Sequence, residues 1–178
     1  MYGNPQLLIQ QVILSRALRG EVGHTESRRG GGSYRHPEIG VLDEQAVKNA
    51  SIEVQRTYDD IKQTLGVPVV NSDYQAMARS SAFFLTGWEE IKHQRLRPDY
   101  QELEQALLQR AEEAADRLHP AIGVGEREVR DLLDNSDDFE QIRDTMDTFT
   151  RLLPGLLINN AIFLGGLAAA RSNRSTSR

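Results

Sequence analysis

Apolar residues recur at helical spacing along nearly the whole chain, and no stretch alternates convincingly like a strand. Residues 6–19, QLLIQQVILSRALR, carry Leu7, Leu8, Val12, Ile13 and Leu18, the pattern of a short amphipathic helix. The next segment, GEVGHTESRRGGGSYRHPEIG, has no apolar period and is rich in glycine and charge, so it reads as a flexible linker. Residues 1–40 are therefore expected to form a helix and linker appended to the main domain, which runs from about Val41 to Ala170. Within that domain, Val54, Tyr58, Ile61 and Leu65 mark a helix stopped by Gly66 and Pro68. Asn71 or Ser72 can cap a second helix through Met77 and Ala78. Ser80 or Ser81 can cap a third, with Phe84, Trp88 and Ile91 on one face.

Pro98 opens the clearest helix, with Tyr100, Leu103, Leu107, Ala111, Ala114 and Leu118 in one stripe. His119, Pro120, Gly123 and Gly125 end it, and a short helix follows over Glu126–Leu133. The acidic turn DNSDD starts another helix, apolar at Phe139, Ile142, Met146, Phe149 and Leu153. Pro154 is expected to kink or break it, with a last apolar helix running to Ala170. The expected class is all-α, a domain of about six helices, followed by a basic disordered tail at 171–178.

Composition narrows the function classes. The chain has 178 residues, 39% hydrophobic and 26% charged, enough for a sizeable core. A net charge of −5 argues against nucleic-acid binding, although Arg28, Arg29, Arg35, Arg171, Arg174 and Arg178 make both ends locally basic. The absence of cysteine removes disulfides, thiol catalysis and thiolate metal ligands. The start, MYGNPQLL, lacks the pattern of a secretory signal, so the expected location is the cytoplasm. The uncharged run Leu152–Ala170 is marginal in length for a membrane span. Pro154, Gly155, Asn159 and Asn160 interrupt it, and burial in a bundle or subunit interface fits better.

Most familiar signatures of catalysis are missing. His24, His36, His93 and His119 share no ligand spacing, so no metal site is expected. Asp59-Asp60, Glu89-Glu90 and Asp137-Asp138 are adjacent pairs, whose members point about 100° apart on a helix and read as solvated faces. Trp88 shares a helical face with Phe84 and Ile91 and reads as core rather than as a halide contact. Asp73 remains. At a helix N-terminus it can support the helix start, or, held on one water in a dry pocket, serve as a general base.

One resemblance gives that choice a direction. EVQRTYDDIKQTLGVP, residues 53–68, resembles the entry helix and turn of the group I 2-haloacid dehalogenases, the DehI family. SDYQAM, residues 72–77, is similar to the segment that carries that family's catalytic aspartate. LHPAIG at 118–123 and DTFTRLLPGLL at 147–157 continue the likeness in the same order, so that it covers residues 50–170. The resemblance implies two tandem helical repeats with the active site between them. This chain holds one copy, so a homodimer through the last helix would rebuild the pair. It also implies cofactor-free hydrolysis of a carbon–halogen bond in a small 2-halo carboxylic acid, with Asp73 activating the attacking water.

By the same resemblance, Ser72, Val69, Leu153 and Leu156 fall at the substrate pocket. The family's water-holding asparagine precedes a proline in the late helix, where this chain has Leu153 before Pro154. Asn159, Asn160 or Asn71 would have to replace it, or serve instead in a buried interhelical hydrogen bond. If no amide reaches Asp73 across the dimer, the alternative is a non-catalytic helical homodimer that binds a small acid or a protein partner.

Overall fold

The computed structural model describes residues 5–21, 40–118, 125–133 and 135–175. Among them there are seven α-helices and no strand. These are α1 (Pro5–Leu18), α2 (Ile52–Leu65), α3 (Ser72–Met77), α4 (Ser81–Arg95), α5 (Pro98–Leu118), α6 (Glu126–Arg130) and α7 (Ser136–Ser175). A 3-10 turn at Ala46–Asn49 precedes α2. The all-α class expected from the pattern is the class observed. The linker reading falls on residues outside the described ones. The tail is expected to be disordered from 171, but residues 171–175 continue the last helix, and of the tail only 176–178 lie outside the described residues.

Several helix limits follow from local chemistry. The Ser51 hydroxyl accepts the Val54 N–H at the start of α2, and Gly66 ends it in the left-handed region at φ 66°. Pro98 occupies the first turn of α5, where its missing N–H costs nothing. The Asn135 side chain accepts the Asp137 N–H as α7 begins. Ser80 occupies the cap position of α4, but its hydroxyl makes no capping bond.

Pro154 does not break its helix. α7 runs for 40 residues, so the two expected helices are one. Proline in a helix interior removes one backbone hydrogen bond and costs about 3 kcal/mol. Pro154, Gly155 and Leu156 are all buried, and packing on both sides of the defect offsets that cost.

The chain divides into two compact units. The first contains the described residues 40–100 and 160–175. Here Val54, Tyr58 and Ile61 of α2, Tyr74 of α3, and Phe84, Trp88 and Ile91 of α4 are all at most 1% exposed. Their rings meet edge to face, Tyr58 on Phe84 and Tyr74 on Trp88, each pair with centroids 5.7 Å apart. The Trp88 indole N–H donates to Asp60 Oδ2 at 2.9 Å, and Lys92 Nζ lies 2.7 Å from the same oxygen. Trp88 is thus core, and Asp60 is its polar anchor rather than half of an idle acidic pair. Burial works to raise the Asp60 pKa, but the bonds from Lys92 and Trp88 outweigh it and hold the carboxyl below its ordinary value.

The second unit contains the described residues 5–21 and 101–159. Leu8, Val12 and Ile13 of α1 form a buried cluster with Ala111 and Ala115 of α5, and Leu107, Leu108, Leu153 and Leu157 pack against it. The face of α5 that is buried is therefore centred on 107, 108, 111 and 115, whereas Leu103 is exposed. Polar bonds reinforce the packing. Gln11 Nε2 donates to the Met146 carbonyl at 3.0 Å, and Ser15 Oγ to Asp147 Oδ1 at 2.7 Å. The sequence pattern set α1 apart from the main domain, but the packing makes it part of this core. An amphipathic stripe shows that a helix needs a partner without naming the partner.

Leu8 is 3% exposed. Leu8→Ala is expected to destabilise the protein by about 2–5 kcal/mol, as large-to-small core substitutions do, read by urea unfolding. A change near zero would mean that α1 contributes nothing to stability.

Candidate active site

The segment from Gly66 to Met77 places Asp73. Asn71 takes extended backbone angles, and its Oδ1 accepts the Asp73 N–H at 2.9 Å. Asn71 is thus the N-cap of α3, and the Asp73 carboxylate is not needed for that task. The Asp73 side chain turns instead to the first unit's part of α7. There Asn160 Nδ2 donates to Asp73 Oδ2 at 3.0 Å. Asn160 is 4% exposed and Asp73 is half-buried. No described residue bonds the other carboxylate oxygen, Oδ1.

A second pair of side chains brings the two helices together. Tyr74 follows Asp73, and Phe163 lies three residues beyond Asn160, on the same helical face. Their rings meet with centroids 6.5 Å apart at 69°. Phe163 also packs on Phe83, 5.3 Å between centroids. Gly87 makes that approach possible, because a Cβ there would stand 2.1 Å from the Phe163 ring.

The loop before α3 is held by residues that no periodic pattern marks. Glu44 Oε1 accepts the Val70 N–H at 2.8 Å, and its Oε2 lies 3.3 Å from Lys62 Nζ. Gln75 Nε2 donates to the Val70 carbonyl at 2.9 Å. Both backbone polar groups of Val70 are therefore engaged by side chains. The Leu42 N–H donates to the Gln75 carbonyl at 2.9 Å, and the Tyr58 hydroxyl donates to the Leu42 carbonyl. Glu44 and Gln75 are the residues that sequence reasoning missed. A glutamate in an aperiodic stretch and a glutamine inside a helix carry no local signal of a long-range bond.

The other expected site residues are distributed as follows. Ser72 is exposed and Val69 is 54% exposed. Leu153 packs on the Leu8–Ala115 cluster of the second unit. Leu156 and Asn159 are buried and belong to that unit as well. Of the three candidate amides, Asn71 caps α3 and Asn160 meets Asp73. A groove of about 530 Å³ opens between α4 and α7 in the first unit, lined by Phe83, Gly87, Ile162 and Phe163 among others. Asp73 and Asn160 are not in its lining. No group of three or more His, Cys, Asp or Glu side chains among the described residues is placed to hold a metal ion. No helix among them is long and apolar enough to cross a membrane.

Comparison with known proteins gives this geometry a context. The profile of the family described as "Halocarboxylic acid dehydrogenase DehI" matches residues 1–74, which include α1, α2 and Asp73. An (R)-2-haloacid dehalogenase from Pseudomonas putida is 28% identical over 167 residues, covering 89% of this chain and 54% of the relative. Over residues 1–74 the chain is therefore similar to the DehI family. Because the profile match begins at residue 1, the likeness extends to α1, beyond the 50–170 region that the motifs suggested. Two solved structures share the fold over 89% of this chain and 56% of theirs. A D-2-haloacid dehalogenase in complex with L-LA matches with a TM-score of 0.74 at 25% identity, and a mutant D-2-haloacid dehalogenase in complex with D-2-CPA with 0.75 at 24%. The chain thus spans about half the length of these relatives.

Two outcomes test the scaffold. Asn71→Ala should cost about 1 kcal/mol through loss of the cap, measured by chemical denaturation, whereas Ser72→Ala should cost little. Burial first, then the charges of Glu44 and Asp43, push the Tyr58 pKa up to about 12. An unfolded tyrosine titrates at about 10. With the folded value the higher, the neutral phenol contributes stability that is complete below the unfolded value and is lost as pH rises through the folded one. The melting temperature should therefore fall more steeply over that alkaline window than in Tyr58→Phe. Equal slopes would remove Tyr58 from the support of α3.

Proposed function

We propose that the chain is a hydrolase of the 2-haloacid dehalogenase type, with Asp73 as the base. The observation that carries this reading is the bond from Asn160 to Asp73 Oδ2. The amide is expected to arrive across a dimer, whereas Asn160 belongs to the same chain as Asp73, and this bond supports the catalytic reading of the two weighed for the sequence. The kinship with haloacid dehalogenases supplies the substrate class.

The chemistry follows from the arrangement. Asn160 fixes the carboxylate's rotation by holding one oxygen, which leaves Oδ1 to accept a proton from water. The water oxygen attacks the carbon that bears the halogen, on the side opposite it. The C–O bond forms as the C–X bond breaks, halide departs with the bonding electrons, and the water proton passes to Asp73. The product is the 2-hydroxy acid with inverted configuration. A well-placed general base contributes about 10²–10⁴ in rate. In this mechanism Asn160 orients the base and takes the place of the amide that Leu153 cannot provide.

The same proposal includes a homodimer. Two copies of the chain have about the length of one relative. The groove lined by Ile162 and Phe163 gives the last helix an open apolar flank for that contact.

The direct test is halide release from both enantiomers of 2-chloropropanoate. Native protein should release halide, and Asp73→Asn should lose a factor of about 10² or more. Asn160→Ala should lose up to about 10² through misorientation of the base, with kcat affected more than KM. A folded native protein that releases no halide from either enantiomer would replace the enzyme with a carboxylic-acid-binding helical protein. Light scattering at micromolar concentration should give a dimer, and a monomer would remove the shared-site part of the proposal.

A further inference from the structure

A second cavity lies wholly in the other unit, apart from Asp73. It occupies about 210 Å³, below the roughly 300–1,000 Å³ usual for drug-sized ligands. Three helices build it at i, i+3 and i+4 spacing: α1 through Val12, Ser15, Arg16 and Arg19, α5 through Leu108 and Glu112, and α7 through Asp147, Thr150 and Arg151. Val12 and Leu108 give it an apolar floor.

Its charges fall into two groups. Most are already matched. Asp147 Oδ1 accepts from Ser15 at 2.7 Å and from Arg19 at 2.6 Å, and Arg16 pairs with Asp116. The Thr150 hydroxyl donates to the Met146 carbonyl. The α1 terminus beside the cavity is closed on itself, since Gly20 and Glu21 donate to the carbonyls of Ala17 and Arg16. Two charges make no close ion pair among the described residues, although Arg151 acts on Asp147 at longer range. Arg151 has only a 3.4 Å contact with the Thr148 hydroxyl, and Glu112 has none. They line the same small cavity yet stand too far apart to pair with each other.

One spare cation and one spare anion above an apolar floor match a molecule with both charges and a short apolar body. We propose that this cavity binds a small zwitterion, an amino acid with a short aliphatic side chain. Its carboxylate would meet Arg151 and its ammonium Glu112, with the side chain over Val12 and Leu108. A simple carboxylate would leave Glu112 unmatched, and a simple amine would leave Arg151 unmatched. Hydrogen bonds to charged groups are stronger than neutral ones, so the doubly matched ligand gains on both.

The test is isothermal titration of the full chain with L-alanine and L-valine, with propanoate and ethylamine as single-charge controls at constant ionic strength. Saturable binding of an amino acid about tenfold or more tighter than either control is expected. Arg151→Gln and Glu112→Gln should each weaken it by about tenfold, and Asp73→Asn should leave it unchanged. Neither substituted group makes a close ion pair, and Arg151 acts on Asp147 only at longer range, so both variants should melt within a few degrees of the native protein. Absence of saturable binding would overturn the proposal. Amino acids that bind no more tightly than propanoate would do so too, as would binding indifferent to both cavity variants.

Discussion

A helix of six residues does not hold itself together in water, because too few backbone bonds form to offset the cost of nucleation. α3 is such a helix, and everything around Asp73 follows from that constraint. Its first turn is closed by Asn71, and the residue before the cap is held at both polar backbone groups by Glu44 and Gln75. Its aromatic side chain, Tyr74, is 1% exposed between Trp88 and Phe163. The carboxylate is positioned as a consequence. Asp73 reaches Asn160 because Tyr74, its neighbour, is fixed against the same stretch of α7.

The aromatic core that fixes Tyr74 is itself polar at one edge. Trp88 needs an acceptor for its indole N–H, and Asp60 supplies it while Lys92 balances the charge. A buried tryptophan with no such acceptor would leave an unsatisfied donor, at a cost of about 1–3 kcal/mol. The same economy appears at Gly87. In a helix this residue is a weak choice, about 1 kcal/mol worse than alanine. It is the lack of a side chain that lets Phe163 come close enough to bring α7 against α4.

Much of this was legible in the sequence, and the exceptions have physical reasons. The all-α class, the ends of α2 and the start of α5 depend on local chemistry, such as Ser51, Gly66 and Pro98, and can be read from the chain. Local chemistry marks Asp73 only as a helix-start carboxylate, and it is the resemblance of SDYQAM that singles it out. Asn71, Asn159 and Asn160 could not be separated, since the choice depends on which helix face meets α3. Pro154 misled because the local penalty for an internal proline is real but smaller than the packing on either side of it. α1 misled because its partners, Ala111 and Ala115, are small residues a hundred positions away. Glu44 left no trace, because a long-range bond to one backbone N–H needs no pattern around it.

The separation of Asn71 from Asp73 has an evolutionary consequence. One side chain makes the helix and the next but one is free for chemistry, so selection can act on them independently. A lineage could exchange the carboxylate at 73 for an amide or a hydroxyl and keep α3 capped, packed and in place. Under the proposed function, descendants of this architecture could therefore lose the reaction, or regain it, by a single substitution that leaves the shape of the protein as it was.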